Sequence, residues 1–193
     1  FINNPLVGNQ LELQTNEPFN LLFILIYQIV FTLAYYADKK YDEQLPTALS
    51  ILISTSMGYG LFLLITILST PAFGQVYHLL ASIIFIGFAI LFFTKKKSRI
   101  ATFYYAITGY GALSLAIILQ FDQPDFYVWL CWQSLLVVST AVWFRSKFII
   151  VANFFIFLLI FFAFLILYGV TSGISLSFGF VALLSARILN WKK

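Results

Sequence analysis

The stretch VYHLLASIIFIGFAILFFTKKKSRIATFYYAITGYGALSLAIILQ, residues 76–120, decides the fold class of this chain. Two apolar runs flank the basic break KKKSR, and neither run contains Asp or Glu. Each run is about as long as the 20 helical residues that cross the hydrocarbon core of a bilayer. The stretch therefore predicts two transmembrane helices joined by a short basic turn.

The same pattern extends along the rest of the chain. Hydrophobic residues make up 62% of the sequence and charged residues 9%, whereas soluble domains carry about 25% charged residues. This composition excludes a soluble globule. We predict an all-α, polytopic transmembrane helical bundle with seven spans, arranged as repeated helical hairpins. Residues 1–18 form an external amino-terminal segment and residues 19–193 the transmembrane domain, with spans at about 19–37, 47–69, 76–94, 100–120, 126–144, 148–168 and 174–190.

The links between the spans alternate in charge, and ten of the 11 Lys and Arg residues fall in every second link or at the carboxyl end, while Arg187 lies near the cytoplasmic end of the seventh span. The positive-inside rule predicts that these basic links face the cytoplasm, with the amino end outside and the carboxyl end inside. The net charge of +4 is then an orientation signal. We expect the lipid bilayer and membrane protein chains as partners, and no nucleic acid. Because the chain starts at Phe1 without a signal peptide, we also expect it to be a piece of a longer polytopic protein.

The sequence contains a weak internal repeat. A shift of 51 positions lays Gly58-Tyr59-Gly60 on Gly109-Tyr110-Gly111, within two spans that run in the same direction. Small residues allow close backbone approach between membrane helices. The predicted helix-packing positions are Ser50, Ser54, Gly58, Gly60, Thr108, Gly109, Gly111, Ala112 and Ala116.

The sequence has few side chains that could catalyse a reaction or bind a metal ion. The predicted spans hold no Asp or Glu, and the chain has one histidine, His78, and one cysteine, Cys131. A metal site would need more ligands. A Ser-His pair of His78 with Ser175 is the sharpest enzymatic option, but the sequence supplies no recognisable oxyanion hole. TGYG at residues 108–111 resembles a potassium filter, yet it lies inside a continuous apolar span. We predict no catalytic, cofactor-binding or metal-binding residues, no cofactor and no enzymatic activity.

Three amides lie deep inside the predicted spans, away from the span ends: Gln28, Gln133 and Asn153. Amides in membrane helices usually hydrogen-bond to neighbouring helices. We therefore treat these three side chains as the candidate intramembrane polar residues.

Residues 113–159 resemble a stretch of the large, uncharacterised bacterial multi-pass membrane proteins that are grouped as a domain of unknown function. The family's pattern is a Leu-Ser-Leu-Ala helix ending near Gln, an aromatic outer loop, a Trp followed by an acidic residue in the next helix, and then a short basic turn. Gln133 stands near the position where that family has an acidic residue. The resemblance implies a bacterial inner membrane and a longer parent protein, and no known reaction. The matching positions are Leu113 to Ala116, Gln120, Tyr127, Trp129 or Trp132, and Arg145 to Lys147.

From these observations we expect a structural or interaction subunit of a membrane complex in the bacterial cytoplasmic membrane. The alternative is a transporter or lipid-handling protein with a cavity lined by spans two and four, near Ser54, Tyr59, Tyr110 and Gln133.

Overall fold

The computed structural model describes residues 17–37, 45–69, 73–169 and 173–191, which form seven helices and no strand. The predicted external segment, apart from Glu17 and Pro18, lies outside the described residues. The helices are α1 (Glu17–Ala37), α2 (Leu45–Ser69), α3 (Gly74–Leu91), α4 (Arg99–Gln120), α5 (Asp125–Trp143), α6 (Lys147–Tyr168) and α7 (Gly173–Asn190).

Six of these helices, α1 to α6, are long and apolar enough to cross a membrane. The apolar part of α7 is shorter and covers Leu176–Asn190. Side chains on the outside of the bundle are largely hydrophobic; Leu159, for example, is 70% exposed. The helices therefore bear out the predicted all-α, multi-pass membrane bundle.

Two basic turns that join successive helices each contain one residue in the left-handed backbone conformation. After α3 a π-helical turn, Phe92–Lys96, leads to Lys97 in the left-handed conformation, and Arg145 adopts the same conformation after α5. The next residue is a serine in both turns. Ser98 Oγ accepts a hydrogen bond from the Ala101 backbone N–H at 3.1 Å, and Ser146 Oγ accepts one from Ile149 at 3.4 Å. Each serine thereby caps the following helix, α4 or α6.

The two basic turns lie at the same end of the bundle, which we call the basic end. The ring of Phe93, before the first turn, lies 5.4 Å from the Trp143 ring and 5.2 Å from the Phe144 ring, at the second turn. At the opposite end, the Tyr168 hydroxyl at the end of α6 donates to Gln123 Oε1, between α4 and α5, at 2.7 Å.

The main hydrophobic core is formed by α1 to α4 together with Val137 and Ala141 of α5 and Ile149 of α6. One of its largest fully buried side chains is Tyr105 of α4. Its fully buried ring stacks on Phe92 at a centroid distance of 5.3 Å and contacts Phe85 and Phe88 of α3. A second core lies among α5, α6 and α7 and includes Tyr127, Cys131, Phe164, Phe178 and Val181.

Candidate functional site

The two Gly-Tyr-Gly segments have matching surroundings. A Cβ added at Gly58 would overlap the Gln28 side chain of α1, and a Cβ at Gly109 would lie 3.0 Å from the Ile86 backbone nitrogen of α3. The first glycine of each segment thus lies against the helix that precedes it in the chain. At Gly60 and Gly111, by contrast, an added Cβ would meet nothing within 4 Å. Among the residues that the structure describes, these two glycines make no close contact with another helix.

The tyrosines of the two segments each reach the helix that follows. Tyr59 Oη of α2 lies 3.0 Å from His78 Nδ1 of α3, and the Tyr110 hydroxyl of α4 is hydrogen-bonded to Thr140 of α5. His78 is therefore engaged with Tyr59. The Ser175 side chain of the hypothetical Ser-His pair lies outside the described residues.

The remaining predicted packing positions fall on two faces. Ala112 and Ala116 are buried, whereas Thr108 is half-buried and its hydroxyl donates to the Tyr104 carbonyl of its own helix at 2.9 Å. Ser50 and Ser54 are half-buried on the side of α2 that borders α1.

Two of the three predicted amides belong to a polar cluster between α4, α5 and α6. Gln133 Nε2 donates to the Tyr110 carbonyl at 2.8 Å and lies 3.0 Å from Ser114 Oγ, while Asn153 Nδ2 donates to Ser134 Oγ at 2.8 Å. A cavity of about 190 Å³ borders this cluster. The amide nitrogens that face it are already hydrogen-bonded within the chain, so the cluster holds α4, α5 and α6 together.

Asn153 and Ser134 also line a second cavity, of about 340 Å³, between α5, α6 and α7. The hydrogen bond between them therefore lies between the two cavities. The four residues predicted to line a single cavity between spans two and four lie in three different places. Tyr110 and Gln133 line the cavity between α4, α5 and α6. Ser54 lines a groove between α1 and α2, and Tyr59 contacts His78.

The third amide, Gln28, is in a different situation. Its side chain is 5% exposed, and Nε2 has no hydrogen-bond partner among the residues that the structure describes. Gln28 lines an open groove of about 610 Å³ between α1 and α2, which we call the α1–α2 groove. The α2 side of the groove is formed by three small residues four positions apart: Ser50, Ser54 and Gly58.

An aromatic ridge borders the same groove. Phe23, Tyr27 and Phe31 of α1 also recur every four residues, with ring centroids 5.3 Å and 5.4 Å apart. Tyr27 is the central residue of α1 and is 53% exposed. A phenol hydroxyl and an amide donor thus occupy adjacent positions in the middle of a membrane-spanning helix. The sequence prediction missed Tyr27, although its four-residue spacing from Phe23 and Phe31 is visible in the sequence.

No group of three or more His, Cys, Asp or Glu side chains that could hold a metal ion occurs in the described part of the chain. The fold and the groove define a multi-pass membrane protein with an open intramembrane surface on α1 and α2. Comparison of the chain with protein-family models, with curated proteins and with solved structures finds no match.

Proposed function

We propose that this protein is a subunit of a membrane complex and that its α1–α2 groove binds a transmembrane helix of a partner chain. The observation that carries the proposal is the open groove itself, which has a volume of about 610 Å³ and is formed by side chains of α1 and by small residues of α2.

The shape of the groove supports the same proposal. Small residues at a four-residue spacing let a second helix approach closely, and this contact replaces the missing hydrophobic drive between helices in lipid. Ser50, Ser54 and Gly58 provide that surface over two helical turns. We propose binding and no catalysis, because the predicted spans carry no carboxylate.

We further propose that the protein lies in a bacterial cytoplasmic membrane with its amino end outside and its carboxyl end in the cytoplasm. The orientation is supported by the two basic turns, around Lys97 and Arg145, at one end of the bundle. The positive-inside rule assigns that end to the cytoplasm. The bacterial assignment depends on the resemblance of residues 113–159 described above.

Transport or lipid handling is the second candidate. The cavities on either side of the Asn153–Ser134 hydrogen bond favour it, because breaking that bond would join them. A substrate would have to compete with hydrogen bonds that the cluster already makes. Solute uptake by reconstituted vesicles that changes in Asn153→Ala and not in Ser139→Ala would support this candidate.

Photo-crosslinking in native membranes tests the binding proposal. A benzoylphenylalanine at Met57, which is 62% exposed and lines the groove, is expected to form an adduct with one protein chain, identified by peptide mass spectrometry. The matched control is the same probe at Leu159, which is exposed on α6 and away from the groove. Lipid adducts alone at both positions would refute the proposal.

A further inference from the structure

We propose that the cavity of about 340 Å³ between α5, α6 and α7 binds an uncharged lipid alcohol, with an acyl chain as its apolar body and a hydroxyl group as its head. We call this space the α5–α7 cavity. It shares no lining residue with the α1–α2 groove, so the proposal goes beyond the proposed function and does not depend on it. Three features support it: unused hydrogen-bonding groups, an uncharged lining, and an opening towards the membrane.

Asn153 supplies a hydrogen-bond acceptor. Its amide nitrogen donates to Ser134 Oγ at 2.8 Å and lies 3.3 Å from the Ser134 carbonyl oxygen, which can only accept, so the nitrogen faces α5 and Oδ1 is the free end of the amide. Oδ1 accepts no hydrogen bond from the residues that the structure describes, although the side chain is only 7% exposed. In that part of the chain Gln28 Nε2 is the only fully enclosed side-chain nitrogen or oxygen without a partner, so Asn153 Oδ1 retains accessible surface. The spaces beside Asn153 are the two cavities that it lines.

Two serine hydroxyls at the α5–α7 cavity supply donors. Helical serines can donate to a carbonyl of their own helix, as Ser54 and Ser139 do here. Ser134 Oγ accepts from Asn153 but donates to none of the described residues, and Ser185 Oγ makes no hydrogen bond with them. A ligand hydroxyl can donate to Asn153 Oδ1 and accept from one of the serines, whereas an ether or a ketone can only accept. This pairing leaves the hydrogen bond between Asn153 and Ser134 in place.

The rest of the lining indicates the body of the ligand. Apart from Ser134, Asn153 and Ser185, every side chain that lines the cavity is apolar, as are Phe157 of α6 and Leu189 of α7. A dry apolar cavity of about 150 Å³ holds a benzene molecule. A cavity of 340 Å³ therefore accommodates a longer apolar body, such as part of an acyl chain.

The depth of the polar groups favours an uncharged head. Asn153 lies six residues after Lys147, with which α6 begins at the basic end, and this separation is about 9 Å along the helix. A phosphate or carboxylate bound beside Asn153 would leave the aqueous interface and would find no counter-charge in the lining. A hydroxyl group carries no such cost.

The cavity opens to the membrane between α6 and α7. These helices contact each other through Phe178 of α7, whose ring centroid lies 5.8 Å from that of Phe157 and 5.5 Å from that of Phe164. The cavity extends from Phe157 towards the basic end. Phe154 of α6 and Ala186 of α7 line it and are also exposed on the outside of the bundle. An acyl chain can therefore enter sideways from the bilayer.

Photolabelling of the full chain in phosphatidylcholine vesicles tests the proposal. The probe is a monoacylglycerol with a diazirine on its acyl chain, and peptide mass spectrometry locates the adduct. We expect an adduct on α6 or α7 beside the cavity that excess unlabelled monoacylglycerol displaces. The same lipid with both hydroxyls methylated should need at least about threefold higher concentrations, because it cannot donate to Asn153 Oδ1.

Ser185→Ala removes a cavity hydroxyl that has no partner among the described residues. The half-displacing concentration should rise about threefold, the effect of one average hydrogen bond in a membrane. Ser177→Ala is the matched control, because Ser177 is a half-buried serine of the same helix that does not line the cavity. It should leave the displacement unchanged. Ser185→Phe should fill the cavity and abolish the displaceable adduct, whereas Ser177→Phe should retain it.

The comparison of the alcohol with its methyl ether uses the wild type and so decides the proposal even if Ser185→Phe does not fold. Equal displacement by the two lipids would overturn the assignment of a hydroxyl ligand. An adduct that excess monoacylglycerol does not displace would overturn the site, as would equal effects of Ser185→Ala and Ser177→Ala. The adduct expected from the probe at Met57 is independent of these results, so the lipid site can fail while the proposed function stands.

Discussion

Gly58 and Gly109 occupy equivalent places in two successive helical hairpins. Each lies against the preceding helix of its own hairpin, and the tyrosine after each reaches the helix that follows. The two environments agree although the neighbouring side chains differ: Gln28 lies against Gly58, whereas Ile86 lies against Gly109. A duplicated hairpin is expected to keep this contact even where the neighbouring side chains differ. Close approach of two helix backbones requires a residue without a side chain at that position, whichever residue it meets.

Gly109 should therefore tolerate no side chain. In Gly109→Ala the new methyl group would lie 2.7 Å from Ile86 Cγ1 and 3.0 Å from its backbone nitrogen, so α3 and α4 must move apart. We expect a loss of about 1–3 kcal/mol in the free energy of unfolding, as for other overpacked sites. Unfolding in detergent micelles by increasing dodecyl sulfate, followed by circular dichroism, measures it.

Gly111→Ala is the control for that measurement, because its Cβ meets open space. It should change the unfolding free energy by less than about 1 kcal/mol. An equal loss in both variants would mean that glycine matters in α4 for its backbone freedom and not for the contact with Ile86.

The hydroxyls of Thr32 and Tyr105, 2.9 Å apart, join α1 to the main core. Thr32 Oγ1 also donates to the Gln28 carbonyl at 2.7 Å, which leaves Tyr105 as the donor between the two hydroxyls. Tyr105→Phe keeps the stacked ring and removes this donor. We expect it to cost between about 0.6 kcal/mol, the average for hydrogen bonds between membrane helices, and about 1.7 kcal/mol, the largest such value.

Tyr104→Phe serves as the control for Tyr105→Phe, because Tyr104 is only half-buried on the same helix. The same dodecyl sulfate titration applies to both variants. If Tyr104→Phe were the more destabilising of the two, the link between α1 and the core would not depend on the Thr32–Tyr105 hydrogen bond.

The sequence was sufficient to predict the helices but not the side-chain contacts between them. Apolar runs and basic breaks predict each span to within a few residues, because length and hydropathy are local properties. Gln133 and Asn153 could be found in the same way, since an amide in an apolar run is conspicuous. Their hydrogen-bond partners Ser114 and Ser134 could not be predicted, because serine is common in membrane helices. The relative rotation of α4, α5 and α6 determines which serine each amide contacts.

The position of the cavities could not be predicted for a related reason. The sequence placed one cavity between spans two and four, whereas the structure has cavities among α4 to α7 and a groove between α1 and α2. Which face of a helix remains open depends on the packing of all its neighbours. Tyr27 illustrates this, because an isolated tyrosine in an apolar helix is ordinary until its exposure is known.

The two serine caps at the basic end should differ in strength. Ser98 is 2% exposed and accepts from Ala101 at 3.1 Å, whereas Ser146 is half-buried and accepts from Ile149 at 3.4 Å. Loss of such a cap costs about 0.5–2 kcal/mol. We expect Ser98→Ala near the upper end of this range and Ser146→Ala near the lower end, measured by the same unfolding titration. Ser98→Asp and Ser146→Asp should recover part of the loss, since Asp also caps helices; no recovery would argue against capping as the cause.

The common location of the basic turns predicts their chemical accessibility. In a Cys131→Ala background, single cysteines at Lys97 and Arg145 should react with a membrane-impermeant maleimide from the same side of sealed vesicles, because both turns lie at the basic end. A cysteine at Gln123 should react only from the other side, since Gln123 lies at the opposite end with Tyr168. Labelling after detergent permeabilisation controls for intrinsic reactivity at each position. Labelling of the cysteines at positions 97 and 145 from opposite sides would contradict the arrangement of the hairpins. Labelling of both from the external side would reverse only the proposed orientation. The reason is that the fold determines which turns lie together, whereas the charges determine which compartment those turns face.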